Sequence, residues 1–361
     1  MIPSLANRSA ARRSHYPAQR GMALIMVIFM VALASTILIA LTDSTYVAMR
    51  LNSATEKRVK AEYILKSAVN VAQVLIKNDT TAYDSPTEDA WMQFRDGQEI
   101  PGELIGLKES NVRISMQISS EAAKVPIRNV ISVQGQPDIK WVEIVATLFS
   151  VLGFDNPDPN NRSDSNNGRP GGSQQQPVDS KQMVVNLIDY LDRDKESASI
   201  ANYPSGIEGQ LPPDQEFRND LTIDSLASEL GAIPGFTPYR VQRLLMFISN
   251  TALRTININA ASAEVIQSLS PDIDATIAQQ ILAFREPAGG GPFTDLNFRT
   301  QLSQLLGPDL SGRISPMVTP EGSYFDVIAK VEYGTSTFMA TAELVKRGTG
   351  RLPLIKSFQL Y

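Results

Sequence analysis

Carboxylates crowd one stretch of this sequence. Asp189, Asp192, Asp194 and Glu196 come close together, and Glu208, Asp214, Glu216 and Asp220 follow. Oxygen ligands alone suit Ca²⁺, a hard cation that takes roughly six to eight of them. The EF-hand spacing is absent, because no glycine sits sixth in a register opened by Asp189 or by Asp192. The same residues also read as a solvated helix end running into a polar loop. On the spacing alone both readings stay open.

Other chemistry has little to stand on. The chain has no cysteine and one histidine, His15, which precedes the first apolar run. If that leader is removed, zinc sites of the usual His/Cys kind and triads with a histidine base are both excluded. No G-x-S-x-G, Walker A or G-x-G-x-x-G motif occurs. We therefore expect no enzyme. The formal net charge is −5. Without the four arginines of residues 1–21, 29 basic residues face 38 acidic ones, a net of −9. An acidic body does not suit binding to nucleic-acid phosphate.

A second kind of site is the junction Arg20-Gly21-Met22-Ala23. Glycine stands before the apolar run, where a protease at the cytoplasmic face meets no side chain. Ordinary signal peptidase instead needs small residues after the apolar stretch. Cleavage at Gly21-Met22 would leave the apolar run as the mature N-terminus. The alternative is a plain signal anchor that is never cut.

The elements that carry these residues follow from periodicity. Met22–Thr42 holds 21 residues without a charge; at ~1.5 Å per residue it spans roughly 30 Å, one hydrocarbon thickness. The arginines before it orient the N-terminus to the cytoplasm. No proline or glycine interrupts Met22 to Ser85. Ala61, Leu65, Ala68, Ala72 and Leu75 recur at helical spacing, so one helix is expected over 22–78, with 22–42 in the membrane. Val112–Ser119 alternates as a strand. Tyr324–Tyr333 and Ser336–Lys346 form a hairpin signal around Gly334-Thr335. Helices are expected over Trp141–Leu152, Lys181–Leu191, Thr222–Leu230, Pro238–Asn250, Ala263–Leu269 and Ala275–Arg285. Residues 155–177 have the composition of a disordered loop. An α-rich block is thus bracketed by strands, which is an α+β architecture.

Several segments in this order resemble the minor pseudopilin K family of type II secretion systems. They are the leader end QRGMALIMVIFMVALAS and SEAAKVPIRNV at 120–130, with Lys124 and Asn129 in place. NLIDYLDRD at 186–194 and TININAASAEVIQSL at 255–269 follow, then Ile281–Arg285 and Gly291-Pro292-Phe293. Glu121, Ala123 and Tyr190 depart from the family's pattern. The resemblance implies prepilin-peptidase cleavage after Gly21 and N-methylation of Met22. It implies a pilin-like antiparallel sheet on the long helix, with residues 79–130 and 313–361 as the sheet parts and 131–312 as an inserted α-helical domain. Calcium in that domain is implied too, with Asp189, Asp192, Asp194 and Glu208 as candidate ligands. Implied partners are pseudopilins I and J, and H. The implied place is the inner membrane, with the C-terminal domain in the periplasm and a position at the pseudopilus tip that supports pilus initiation and protein export.

Met26 fits the tip. Most members of the wider class carry glutamate at this fifth mature position. An ionised carboxylate in a membrane span costs ~2.5–3.5 kcal/mol unless a partner compensates it. We further expect Ala61, Leu65, Ala68, Ala72 and Leu75 to contact a partner helix. The competing function is a membrane-tethered DNA receptor, because Thr255–Phe293 also resembles a helix-hairpin-helix module. Its glycine hairpin is replaced here by Ser270-Pro271-Asp272-Ile273-Asp274. Asn257 and Asn259 are then expected to cap a helix starting near Ala260. The third reading is an uncleaved anchored domain.

Overall fold

The computed structural model describes residues 18–107, 112–156, 178–208 and 226–361. Almost all of the expected loop 155–177 lies outside them, as do Asp214, Glu216 and Asp220.

Helix α1 runs Ala18–Lys77, close to the expected 22–78. It divides between two compact units, residues 1–61 and 62–361. In the first unit the apolar side chains from Met22 to Leu41 are exposed all round. By length and composition this is a helix able to cross a membrane. Its hydroxyls are satisfied within the helix: Ser35, Thr42 and Thr45 donate to the carbonyls four residues back at 2.8 Å. In a bilayer such back-bonding hides groups that have no water to pair with.

The second unit has two cores. One is the pilin-like body. Its five-stranded sheet has the order β1 (Gln98–Glu99), β2 (Val112–Ser120), β7 (Tyr324–Tyr333), β8 (Ser336–Val345), β9 (Leu354–Leu360), antiparallel throughout. The β7–β8 hairpin turns on Gly334 at φ +62°, a conformation costly for a residue with a Cβ. Alternate residues of the central strands are buried, such as Met116, Val327 and Ala342. The buried stripe of α1, Leu65, Ala68, Val69 and Ala72, supplies the opposing apolar face. Gln73 Nε2 donates to Pro353 O at 2.8 Å and fixes the helix to the segment before β9.

The other core belongs to the insertion between β2 and β7. It contains α2 (Ile139–Val151), α3 (Ser180–Leu191), α4 (Leu226–Leu230), α5 (Pro238–Leu244), α6 (Ala263–Ser268), α7 (Ala275–Arg285), α8 (Phe298–Leu306) and α9 (Pro308–Ile314). Trp141, Phe149, Phe154, Ile188 and Phe293 lie at its centre. Two short parallel pairs tie it together: β3 (Val125–Pro126) with β4 (Ile248–Ser249), and β5 (Ile256–Asn257) with β6 (Val318–Thr319). The helix expected over Pro238–Asn250 therefore stops at Leu244, because Ile248 and Ser249 turn extended to pair with Val125 and Pro126. Helices α8 and α9 and strand β9 lay outside the sequence expectations.

Candidate functional site

The acidic string is sorted by the end of α3. Asp179 opens that helix, its carboxylate accepting from Gln182 N at 2.8 Å. The apolar face of Val184, Leu187, Ile188 and Leu191 then seats the helix in the insertion's core, which carries Asp189 and Asp192 inward. Asp189 is fully buried and Asp192 is 5% exposed. Asp194 lies past the end of α3, exposed, and its Oδ1 accepts from Glu196 N at 2.9 Å. Glu208 returns from the following segment and is buried. One carboxylate oxygen each from Asp189, Asp192 and Glu208 lies within 4.8 Å of the others. Of the four expected ligands the fold thus brings three together and leaves Asp194 outside that set.

Backbone holds the cluster in place. Asp189 accepts from Ala198 N at 2.7 Å, Ile207 N at 2.5 Å and Glu208 N at 2.9 Å. The chain passes directly over this carboxylate at Gly206, where an added Cβ would collide with both Asp189 oxygens. Burial pushes the Asp189 carboxyl up, against the pull of the three N–H donors. Asp192 is pushed up to about 8, first by burial, then by the charges of Asp194, Glu208 and Asp189. Its Oδ1 is buried with no hydrogen-bond partner among the described residues. Three buried carboxylates at this separation repel unless a proton or a cation lies between them.

A second buried acidic group was not foreseen. Asp79, Asp84 and Asp89 follow α1 in the body, all at most 3% exposed. Lys346 answers it, its Nζ 2.9 Å from Asp79 and 2.8 Å from Glu321. Asp84 accepts from Asn257 Nδ2 and, at 3.3 Å, from Gly322 N. This network joins the end of α1 to β5 and to the C-terminal end of the insertion, which is a structural duty. Burial raises Asp84 well above the usual carboxylate range and Asp89 to about 7.

Asn257 and Asn259 are accordingly not helix caps. Asn259 donates to Phe293 O at 2.8 Å and Pro320 O at 2.9 Å, and accepts from Phe293 N at 2.9 Å. Ser262 caps α6 instead, accepting from Val265 N at 3.3 Å. In the hairpin before α7, Asp274 caps that helix and Asp272 pairs with Arg313. Carboxylates there offer phosphate nothing.

The stripe expected to meet a partner helix needs correcting. Ala61, Leu65, Ala68 and Ala72 are at most 1% exposed and Leu75 is half-buried, so the chain itself covers that face. The open face of this part of α1 carries Tyr63, Lys66, Asn70, Val74 and Lys77. Gly21 and Met22 lie exposed in the first turns of α1.

A long apolar helix, a five-stranded antiparallel body and a helical head between β2 and β7 define a pilin-like fold with a large insertion. Comparison with known proteins narrows the class. Residues 256–319 match the family model of type II secretion system protein K. That segment begins in β5 and ends in β6, which pair with each other, so the match closes on itself in space. The described fold matches a chain of the crystal structure of the GspK–GspI–GspJ complex from the type 2 secretion system of enterotoxigenic Escherichia coli. The TM-score is 0.60 at 14% identity, over 86% of this chain and 99% of that one. No curated protein sequence matches. The family model bears out the resemblance to protein K drawn from the motifs, and the solved structure bears out the expected α+β fold.

Proposed function

We propose that this chain is a minor pseudopilin of a type II secretion system, placed at the tip of the pseudopilus with pseudopilins I and J beneath it and H next in the series. The observation that carries this is the head itself. The insertion occupies the chain between Ser120 and Tyr324, more than half of the second unit. Subunits inside a helical filament are enclosed by neighbours above and below, and a head of this bulk suits only the position with nothing above it. The apolar Met26 supports the same place, since it offers no carboxylate to a neighbour's terminal amine. The partner contact then falls on the open face of α1, around Tyr63 and Val74. Pilus initiation and support of protein export follow from a capping position.

The same proposal includes processing and place. Prepilin peptidase cuts after Gly21 and Met22 is N-methylated. The span 22–42 crosses the inner membrane once, and the domain after it lies in the periplasm. Mass spectrometry of the protein from its own cells tests this. Loss of residues 1–21 with one added methyl group is expected; an intact leader would contradict it, and Gly21→Glu should preserve the leader.

Calcium belongs to the proposal too. Asp189, Asp192 and Glu208 fit the ion by donor type and separation. Asp192, whose buried Oδ1 lacks a partner among the described residues, is its natural ligand. Bound there, the ion would supply positive charge that holds the end of α3 to the segment carrying Glu208. Its role is structural.

A further inference from the structure

A cavity of about 130 Å³ lies between the pilin-like body and the insertion, away from the carboxylate cluster. The single turn Ala90–Phe94, the end of β2 and the start of α6 line it, and one side opens to solvent. Its polar lining is Trp91, Arg95, Ser119, Ser120, Lys124 and Ser262, and no carboxylate lines it. By volume it holds about four waters or one small ion.

Two of these groups are unsatisfied. Trp91 is 0% exposed and packs edge-on against Phe325 with ring centroids 4.9 Å apart, yet its Nε1–H has no hydrogen-bond partner among the described residues. Ser120 is 4% exposed and its Oγ lacks a partner as well, but that oxygen lies against Gly322, on the side of Asp84 and Asn257. An indole N–H can only donate, so whatever satisfies it brings an acceptor. Leaving such a group unpaired costs ~1–3 kcal/mol.

The charge around the cavity has one sign to spare. Lys124 is bonded to Glu121. Arg95 meets Asp96 only at 3.6 Å, and that carboxylate is 86% exposed, so the pair is screened by water. A second guanidinium stands close by: buried Arg285 donates to Ile258 O at 3.1 Å and to Ala261 O. Its pKa is lowered to about 10, first by burial and next by repulsion from Arg95. Glu286 is its weaker counter-charge, and of the two guanidiniums Arg95 is the one that lines the cavity.

We infer that this cavity binds a small oxyanion, held by the Arg95 guanidinium and the Trp91 N–H, which links the body to the insertion. The chemistry is that of a carboxylate or of inorganic sulfate or phosphate.

The chain has two tryptophans, Trp91 and Trp141, which gives a direct readout. The full chain in detergent with Trp141→Phe leaves Trp91 as the sole indole emitter. It is titrated with sodium acetate, sulfate or phosphate against sodium chloride at constant ionic strength. A saturating change in Trp91 emission is expected for acetate or for the inorganic oxyanions, and none with chloride. Whichever arm saturates identifies the source. Arg95→Gln should weaken the response about tenfold, the worth of one charged hydrogen bond. No saturable change with any oxyanion would mean that water fills the cavity, and an undiminished response in Arg95→Gln would place the anion elsewhere; either overturns the assignment. If Trp141→Phe fails to fold by circular dichroism, ¹⁹F NMR of the 5-fluorotryptophan-labelled wild-type chain gives the same readout, with Trp91→Phe assigning the resonance.

Discussion

Asp192→Asn should separate the two duties of the carboxylate cluster. In chelator the wild-type cluster holds three buried acids, and Asp192 is pushed up to about 8, mainly by burial. The folded state therefore binds more protons than the unfolded state, whose Asp titrates near the ordinary value. Stability is fully present below that ordinary value and is lost as pH rises toward 8. At neutral pH this penalty is on the order of a few kcal/mol, at roughly 1.4 kcal/mol per tenfold change in proton affinity. An amide of the same shape removes the charge, so without metal Asp192→Asn should be at least as stable as wild type and less sensitive to pH between 5 and 8. Calcium should reverse the order. An ion at about a hundred times its dissociation constant stabilises the wild type by ~2.7 kcal/mol. In a unit of this size that raises Tm by roughly 4 °C. The variant should gain little, and the wild-type gain should grow with pH as calcium displaces the proton. Differential scanning calorimetry in chelator and in millimolar calcium, at two pH values, measures all of this. Equal calcium gains in wild type and variant would refute the cluster as the site, and no gain in either would refute calcium altogether.

Three further outcomes follow from the packing. Gly206→Ala should behave like loss of the cluster, since its methyl would displace Asp189 from its three N–H donors; a calorimetric response to calcium identical to wild type would contradict this. Arg240→Met should destabilise by about 3–5 kcal/mol in urea unfolding, because the buried guanidinium donates to Phe154 O (2.6 Å), Val178 O (2.9 Å), Gly235 O (3.0 Å) and Asn156 O (3.1 Å); a loss below about 1 kcal/mol would show those carbonyls finding other partners. Ala68→Arg should unfold the body, whereas Tyr63→Ala should leave circular dichroism unchanged and weaken the complex with I and J in pull-down assays; a folded Ala68→Arg protein would mean that stripe is open after all.

The parts with strong period were legible in the sequence. Helix α1 and helix α7 fall where the apolar spacing put them, and the β7–β8 hairpin turns at Gly334-Thr335 as read. Periodicity named the apolar face of α1 correctly but not what covers it: Gln73 on that helix bonds to Pro353 O, far along the chain before β9. The carboxylates were visible as a string, yet their selection is geometric. Asp189 and Asp192 share the inward face at the end of α3, while Asp194 lies beyond the helix and turns out. Gly206 gave no signal of its own, because its need for space arises only once Asp189 lies beneath it. Arg240 reads as an ordinary surface residue of an amphipathic helix until Phe154, Asn156 and Val178 converge on it. The Asp79, Asp84 and Asp89 group joins residues separated by the whole insertion from Lys346, and no local pattern announces that.

The most direct test of the tip assignment is stoichiometry. The full chain, co-expressed in the presence of a prepilin peptidase with I and J pseudopilins from the same cells, would be purified in detergent and weighed by native mass spectrometry. One copy of each subunit in a single complex is the predicted result. A species with this chain repeated, or its recovery free of both partners, would contradict the claim that its large head caps the assembly.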